Sequence, residues 1–529
     1  IRGLRTGEFI RPLQETLQSR LREGKPGRKA SRNQRPQGTG ACAGGKRITI
    51  TKEKGGAIVR RTEEVMEFAH QAERKAFSVA IDGALKHVKK DREKSFLQLI
   101  DLAEKFMDGD KLQKEDYDKA RELVKNSDGK WMKYADRILN EVDPHVVKMT
   151  ALNLGFEAFF YGTKRINQMR KIHNCNIPWL LLVDPTSACN LHCTGCWAAE
   201  YGNRMNLSYE ELDSIITQGK ELGVYLYMYT GGEPLVRKDD IIRLCEKHDD
   251  CEFHAFTNGT LVDDAFCEEM RRVGNLSLSI SLEGFENAND GRRGDGCFER
   301  VMEAMDRLKA HGLVFGTSIC YTRNNVEAVT SDEFLDMIIE KGCRYAWYFH
   351  YMPVGNDAAP ELMPTMEQRV YMFHRVREIR ALEGGKPIFA FDFQNDGQFV
   401  GGCIAGGRNY CHINPNGDVE PCVFIHYSGA NIREVSLLDA LKQPLFMAYR
   451  EGQPFNDNLL RPCPMLENPE LLQEMVARTG AKSTDLQCPE SADHLCGKCE
   501  AYAAEWAPIA DELWEQEMEK KRKKKEMVH

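Results

Sequence analysis

Three cysteines stand at x3 and x2 spacing in Cys189-Asn190-Leu191-His192-Cys193-Thr194-Gly195-Cys196, directly after the apolar run Trp179–Asp184. Three thiolates, rather than four, describe a metal centre with one open position. Each could take one iron of a cubane cluster and leave the fourth iron free. A Cys3His zinc site using His192 is the structural alternative. A second apolar run, Val224–Tyr229, leads into Thr230-Gly231-Gly232-Glu233-Pro234. Paired glycines let backbone groups approach a ligand closely, and Glu233 offers a carboxylate for an ammonium group.

Both motifs need strands to position them. Between 176 and 385, apolar runs at Trp179–Asp184, Val224–Tyr229, Glu252–Thr257, Leu276–Leu282, Val314–Cys320 and Tyr345–Tyr351 alternate with amphipathic stretches at Tyr209–Leu222, Asp239–Lys247, Asp263–Val273, Phe298–His311 and Asp332–Glu340. Six strand-helix units predict an α/β fold, a parallel sheet rolled toward a partial, TIM-like (β/α)6 barrel. Chemistry in such folds gathers at the carboxyl ends of the strands, where both motifs fall. So do Thr257-Asn258-Gly259 after the third run and the same-face set Ser279, Ser281 and Glu283 along the fourth. Ser318 with Thr322 and Asn324 closes the fifth, and Met352-Pro353-Val354 follows the sixth. Cys320, at the end of the fifth run, would face the cavity as a hydrogen-atom donor or serve as plain core. Arg292-Arg293-Gly294 has the makings of a carboxylate or phosphate site and equally of a solvated turn. Cys245, Cys251, Cys267, Cys297 and Cys343 read as buried small apolar residues.

A second cysteine field follows. Gly402-Cys403 opens it, and Ile413-Asn414-Pro415-Asn416-Gly417-Asp418-Val419-Glu420-Pro421-Cys422 continues it as a strand, an Asn-Gly turn and a second strand. Cys463, Cys488, Cys496 and Cys499 close it. Cys496-Gly-Lys-Cys499 also suits zinc. Asp392, Gln394, Asn395 and Asp396 lie between the two fields, as cavity lining or as a strand cap.

With the cysteine loop and Gly231–Pro234 at the ends of consecutive strands, the chain resembles the radical S-adenosylmethionine (SAM) enzymes. The resemblance implies a [4Fe–4S] cluster on Cys189, Cys193 and Cys196, with the amino group of SAM held by Gly231, Gly232, Glu233 and Pro234. It further implies ribose contacts from Asn258, Ser281, Glu283 and Ser318, and backbone contacts to adenine near Met352 and Val354. The expected activity is reductive cleavage of SAM to methionine and a 5′-deoxyadenosyl radical, which takes a hydrogen atom from a substrate C–H bond. One residue departs from the pattern: the family carries an aromatic side chain before the third cysteine, against adenine, where this chain has Gly195; Trp197, just after, either supplies that adenine contact or is core. The second field is similar to the opening half of SPASM auxiliary-cluster domains. It implies one auxiliary [4Fe–4S] cluster with ligands from Cys403, Cys422, Cys463, Cys496 and Cys499, leaving Cys411 and Cys488 outside. Two substrate classes follow, a peptide or protein side chain and a lipid acyl or isoprenoid chain; a non-enzymatic iron–sulfur carrier or scaffold is the alternative. A ferredoxin- or flavodoxin-type reductant is the expected partner.

Composition sets the surroundings. The 529 residues, 42% apolar and 29% charged with a net charge of -8, fit a globular protein and give no basic footprint for nucleic acid. No apolar run is long enough to span a bilayer. With no signal peptide read in the chain, the expectation is cytoplasmic, where eighteen cysteines read as metal ligands and buried thiols rather than disulfides. Five segments are expected: a basic disordered tail over 1–65, a helical domain over 66–175, the barrel over 176–385, the auxiliary domain over 386–510 and a charged helix or tail over 511–529. The tail carries nine Lys or Arg between Arg20 and Arg47 against one acid, Glu23. It reads as a nucleic-acid or membrane-surface arm or as an over-extended reading frame, since no methionine precedes Met66. The apolar-aromatic stretch 153–162, followed by Lys164, Arg165, Arg170 and Lys171, reads either as a membrane-surface helix giving peripheral attachment or as a helix packed on the barrel.

Overall fold

A computed structural model describes residues 52–88, 91–107, 114–126, 128–198, 204–356 and 358–526. The chain divides into two units at Glu67–Phe68, and the fold and the site belong to the second, Phe68–His529. Most of the expected tail, and residues 199–203 just after the cysteine loop, lie outside the described residues.

Eight parallel strands carry the second unit: β1 (Leu180–Val183), β2 (Leu226–Tyr229), β3 (Glu252–Thr257), β4 (Leu276–Ser281), β5 (Phe315–Tyr321), β6 (Tyr345–His350), β7 (Phe389–Asp392) and β8 (Tyr410–Ile413). With β9 (Val419–Glu420), antiparallel to β8, they form one sheet in the order β7-β6-β5-β4-β3-β2-β1-β8-β9. The protein is thus an α/β fold with the mostly parallel sheet of a partial barrel, helices before it and a cysteine-rich region after it. Sequence periodicity finds the first six strands; the sheet extends beyond them. Asp392, expected at a junction between domains, ends a seventh barrel strand. The hairpin expected in a separate auxiliary domain pairs with the barrel itself, Leu180 to Tyr410 and Val183 to Ile413. Four-residue strands are too short to show a period, and pairing between β1 and β8 is invisible to local pattern.

The strands read as apolar runs because helices cover the outer face of the sheet. One of those helices, Tyr209–Leu222, begins on a capping box between Ser208 and Glu211 and stops at Gly223, whose φ of 97 ends the helix. Two expected boundaries fall inside helices. Lys52–Val88 is one helix, running through residue 65, and Ala492–Glu526 is one helix, running through residue 510 and carrying Cys496 and Cys499 on its first turns.

The stretch once open to a membrane-surface reading is a π-helix, Ala151–Gly162. Leu152, Phe156 and Ala158 are buried in it. Its two polar residues are buried too. Glu157 accepts from Arg74 at 2.9 Å and pairs with His70 at 2.7 Å, and the Asn153 amide donates to the carbonyls of Asp249 and Cys251. These buried side chains join the helix to the barrel, while Phe159 is 43% exposed on it. No helix among the described residues is long and apolar enough to cross a membrane.

Candidate active site

The loop after β1 and the turn after β2 meet because both glycines of the turn lack side chains. A Cβ on Gly232 would stand 2.3 Å from the Ala188 carbonyl oxygen, and one on Gly231, at φ 106, would stand 2.7 Å from that of Thr186. Backbone bonds close the contact: Gly232 N donates to Thr186 O at 3.0 Å and Glu233 N to Ala188 O at 2.8 Å. The paired glycines therefore dock the turn on the cysteine loop.

Glu233 is 1% exposed. Its carboxylate accepts from Leu235 N at 2.9 Å, Thr257 Oγ1 at 2.6 Å and Asn258 N at 2.7 Å, which ties the turn to the end of β3. Burial pushes its pKa up, against those three donors. The Asn258 side chain donates to Asn190 in the cysteine loop at 2.8 Å.

These groups surround a cavity of about 190 Å³ at the carboxyl ends of the strands. Cys189, Cys193 and Cys196 form one side of it, with Gly231, Gly232 and Glu233 beside them; Asn258, Ser281, Ser318, Cys320, Trp197 and Met352 also reach it. Three expected contacts do not. Pro234 is buried at the start of the short helix Pro234–Arg237 and Val354 is buried in core. Glu283 is 1% exposed and held by two guanidinium groups, Arg292 Nη1 at 2.8 Å and both Nε and Nη2 of Arg293. A carboxylate so paired positions arginines; it is not presented to a ribose.

Arg292 and Arg293 sit in the last turn of the helix Glu286–Arg293, where a turn was expected, and both line the cavity. Arg293 Nη1 reaches Cys193 Sγ at 3.8 Å and Arg292 Nε donates to Thr194 O at 3.2 Å. Two guanidinium groups thus share one carboxylate on this wall, and Glu233 lines the same cavity as a second carboxylate. Thr257, singled out at the end of the third run, lines the cavity too; Phe256, Phe349, Tyr351 and Phe424 line it without having been singled out by motif. Alternation along β6 is the signal that would have found Tyr351, which continues the inward face of Trp347 and Phe349.

The donor set fits a cluster. Among the described residues, no three His, Cys, Asp or Glu side chains converge on a single ion's position; the three thiols are instead spread around one cavity, as a cubane with one thiolate per iron requires. Burial pushes the Cys189 thiol up to about 11 and also raises that of Cys193, Arg293 opposing the latter. Buried thiols of this kind give up their protons to a metal centre. Leu191 N points at Cys189 Sγ at 3.5 Å, and such donors tune cluster sulfurs.

A second, smaller cavity of about 70 Å³ is lined by Cys403, Cys422 and Cys463. Burial pushes Cys403 up to about 12 and Cys422 to about 11, and raises Cys463. Donors again aim at sulfur: Tyr410 Oη at Cys422 Sγ, 2.7 Å, and the amides of Met465 and Leu466 at Cys463 Sγ, both 3.4 Å. Cys496 and Cys499 are buried in the same apolar cluster but do not line this cavity. Cys411 is buried in β8, and Cys488 is exposed. Met352 and Phe424 line both cavities and form the wall between them.

A partial barrel whose first strand ends in a three-cysteine loop, docked on a paired-glycine turn, is the architecture of enzymes that bring SAM to an iron–sulfur cluster. Residues 183–338 match the model of the radical SAM superfamily, and residues 403–465 that of the SPASM iron–sulfur cluster-binding domain. The AdoMet-dependent heme synthase of Methanosarcina barkeri is 25% identical over 49% of this chain and 80% of its own length. Mycofactocin maturase MftC of Mycolicibacterium smegmatis is 29% identical over 47% and 64%, and the PqqA peptide cyclase of Gluconobacter oxydans 25% over 60% and 92%. Among solved structures, SuiB of Streptococcus suis bound to S-adenosylmethionine aligns with a TM-score of 0.49 and 18% identity over 78% of this chain and 93% of that one. The chain belongs to the radical SAM superfamily and carries a C-terminal SPASM domain; it is a radical SAM enzyme, with SAM, a [4Fe–4S] cluster and auxiliary iron–sulfur binding as its cofactors.

Proposed function

We propose that this enzyme takes a hydrogen atom from an unactivated C–H bond of a long apolar chain, acyl or isoprenoid, held along the inner face of β6 and β7. The observation that carries this reading is a wall of aromatic side chains. Tyr345, Trp347 and Phe349 on β6 and Phe389, Phe391 and Phe393 beside them all face inward, and none is fully buried. Trp347 stacks on Phe391 at 4.7 Å, Phe349 lies 5.3 Å from Phe393 and 5.9 Å from Phe256, and Phe389 is 43% exposed. This aromatic wall reaches the reaction cavity at Phe349 and Phe256 and ends at Phe389, packed on Trp131 and Tyr134 at 4.7 and 5.2 Å; apolar lining of that kind suits a hydrocarbon chain.

Cys189, Cys193 and Cys196 would hold the cluster and leave one iron open to SAM. Gly231, Gly232 and Glu233 would receive the amino group, and Asn258, Ser281 and Ser318 the ribose. Bound SAM and the reduced cluster supply the 5′-deoxyadenosyl radical. Cys403, Cys422 and Cys463 would hold one auxiliary cluster, with Cys496 or Cys499, both buried in the same apolar cluster, to complete the set. Burial pushes the Cys320 thiol up to about 11, so its S–H persists at neutral pH beside the cavity. Giving that hydrogen atom to a carbon-centred product radical leaves a thiyl radical. One electron from a ferredoxin- or flavodoxin-type donor, and one proton, restore it.

The two guanidinium groups of Arg292 and Arg293 on the cavity wall favour a second reading, a peptide carrying a carboxylate, in keeping with relatives named as a maturase and a peptide cyclase. Deuterium decides between them. Reconstituted enzyme with SAM and dithionite is offered perdeuterated acyl lipid in vesicles or deuterated peptides, and 5′-deoxyadenosine is read by mass. Label from lipid is expected; label from peptide alone overturns the substrate assignment. Turnover surviving Cys193→Ala would overturn the cluster assignment.

A further inference from the structure

Gly195 lies between the second and third cysteines of the loop, at φ 66. A Cβ there would stand 2.8 Å from Tyr351 Oη and 2.9 Å from Cε2 of its ring. Tyr351 thus occupies the space a side chain at 195 would need, and only glycine admits it. The ring is pinned from its other end as well, since the hydroxyl accepts from Ala359 N at 3.0 Å. It is 2% exposed and lines the cavity together with all three cysteines. Trp197, the other aromatic flanking the third cysteine, is committed edge-on to His412, Phe424 and His426, with ring centroids at 5.8, 6.4 and 6.1 Å.

We propose that Tyr351, delivered from the end of β6 onto Gly195, is the aromatic surface against which the adenine of SAM packs. The inference rests on the reading of this cavity as the SAM site. SAM has one aromatic group, and among the rings that line the cavity Tyr351 is the one packed on Gly195 of the cysteine loop, whereas Trp197 turns its edge to His412, Phe424 and His426. An aromatic ring packed on a nucleobase stabilises it whichever base it is, because every base has a π-face. Carrying that ring on a strand end, with its hydroxyl anchored, holds it rigid while the loop itself keeps a bare backbone at 195. Tyr351 is in this sense a cofactor-positioning residue, and Gly195 is the notch that lets it in.

The test compares ligands with and without the nucleoside. Reconstituted parent, Tyr351→Phe and Tyr351→Leu enzymes are titrated with SAM and, separately, with methionine, which offers the open iron the same amino and carboxylate groups but no adenine; the spectrum of the reduced cluster reports each. Tyr351→Leu is expected to bind SAM roughly tenfold more weakly, with methionine binding unchanged and Tyr351→Phe close to the parent. Unchanged SAM affinity in Tyr351→Leu overturns the proposal. So does an equal weakening for SAM and methionine, which would make Tyr351 a prop for the loop alone. Parent enzyme photolysed with 8-azido-SAM gives an answer that needs no variant: the peptide bearing Tyr351 is expected to carry the label, and labelling confined to other cavity segments overturns the assignment. Failure of the parent to bind SAM at all would instead sink the reading of the cavity.

Discussion

Glu233 shows how one side chain joins two loops. Its carboxylate is buried, so each lost donor leaves charge without compensation, and hydrogen bonds to charged groups are the stronger ones. Thr257 supplies the shortest of its three, at 2.6 Å. Thr257→Val keeps the shape and removes the hydroxyl. The expected cost is about 1.5–3 kcal/mol, read as a lower urea midpoint together with a weaker SAM affinity; an unchanged midpoint would show that Thr257 Oγ1 contributes nothing to the fold. Motif spacing made Cys189, Cys193, Cys196 and Glu233 legible in the sequence because backbone geometry alone brings such short motifs to one place. Phe424 was not legible, since its presence in the cavity depends on the loop after β9, far along the chain, whereas Tyr351 stood at the end of the sixth apolar run, on the face of Trp347 and Phe349. Gly195 marked the gap without naming what fills it.

Between elements, β8 is joined to β1 and β9 by charge as well as by its ladder. His412 on β8 stands between Asp184, just past β1, at 3.0 Å, and Glu420 on β9 at 2.6 Å, all three fully buried. Burial disfavours the imidazolium, but the two carboxylates outweigh it and push the ring up to about 10. Asp184 also lies under Gly231, so the same cluster supports the turn that meets the cysteine loop. His412→Leu strips the cation from two buried carboxylates; breaking such a group costs about 3–5 kcal/mol. A large fall in melting temperature, with loss of iron at both sites, is expected from calorimetry and iron analysis, and a variant as stable as the parent would refute the role. Sequence pattern recovered β3 and the helix Tyr209–Leu222 with the bounds observed, because alternation and a capping box are local. It missed the helix Glu286–Arg293, whose Asn-Asp-Gly composition is poor for helix and whose Asn289 is held by accepting from Glu283 N at 3.2 Å.

At the scale of the whole molecule, the barrel bears the cost of a polar interior, and pH exposes it. Glu252 opens β3 with 3% exposure, its Oε2 has no hydrogen-bond partner, and burial pushes its pKa from 4.5 up to about 8. The folded chain therefore binds this proton more tightly than the unfolded chain. Stability from Glu252 is fully present below about pH 4.5 and is lost progressively as pH rises through about 8, where folding must either ionise a buried carboxyl or stay protonated at a cost. Glu252→Gln keeps the shape and removes the titration. Urea unfolding of parent and variant is thus expected to converge toward pH 5 and to diverge in favour of the variant up to about pH 8, beyond which the difference is constant. Other carboxylates shift both proteins alike, so the difference isolates this one group. A difference that stays flat from pH 5 to pH 9 would mean that Glu252 finds water or a partner in the folded barrel and that the interior below the cavity is wetter than its lining suggests.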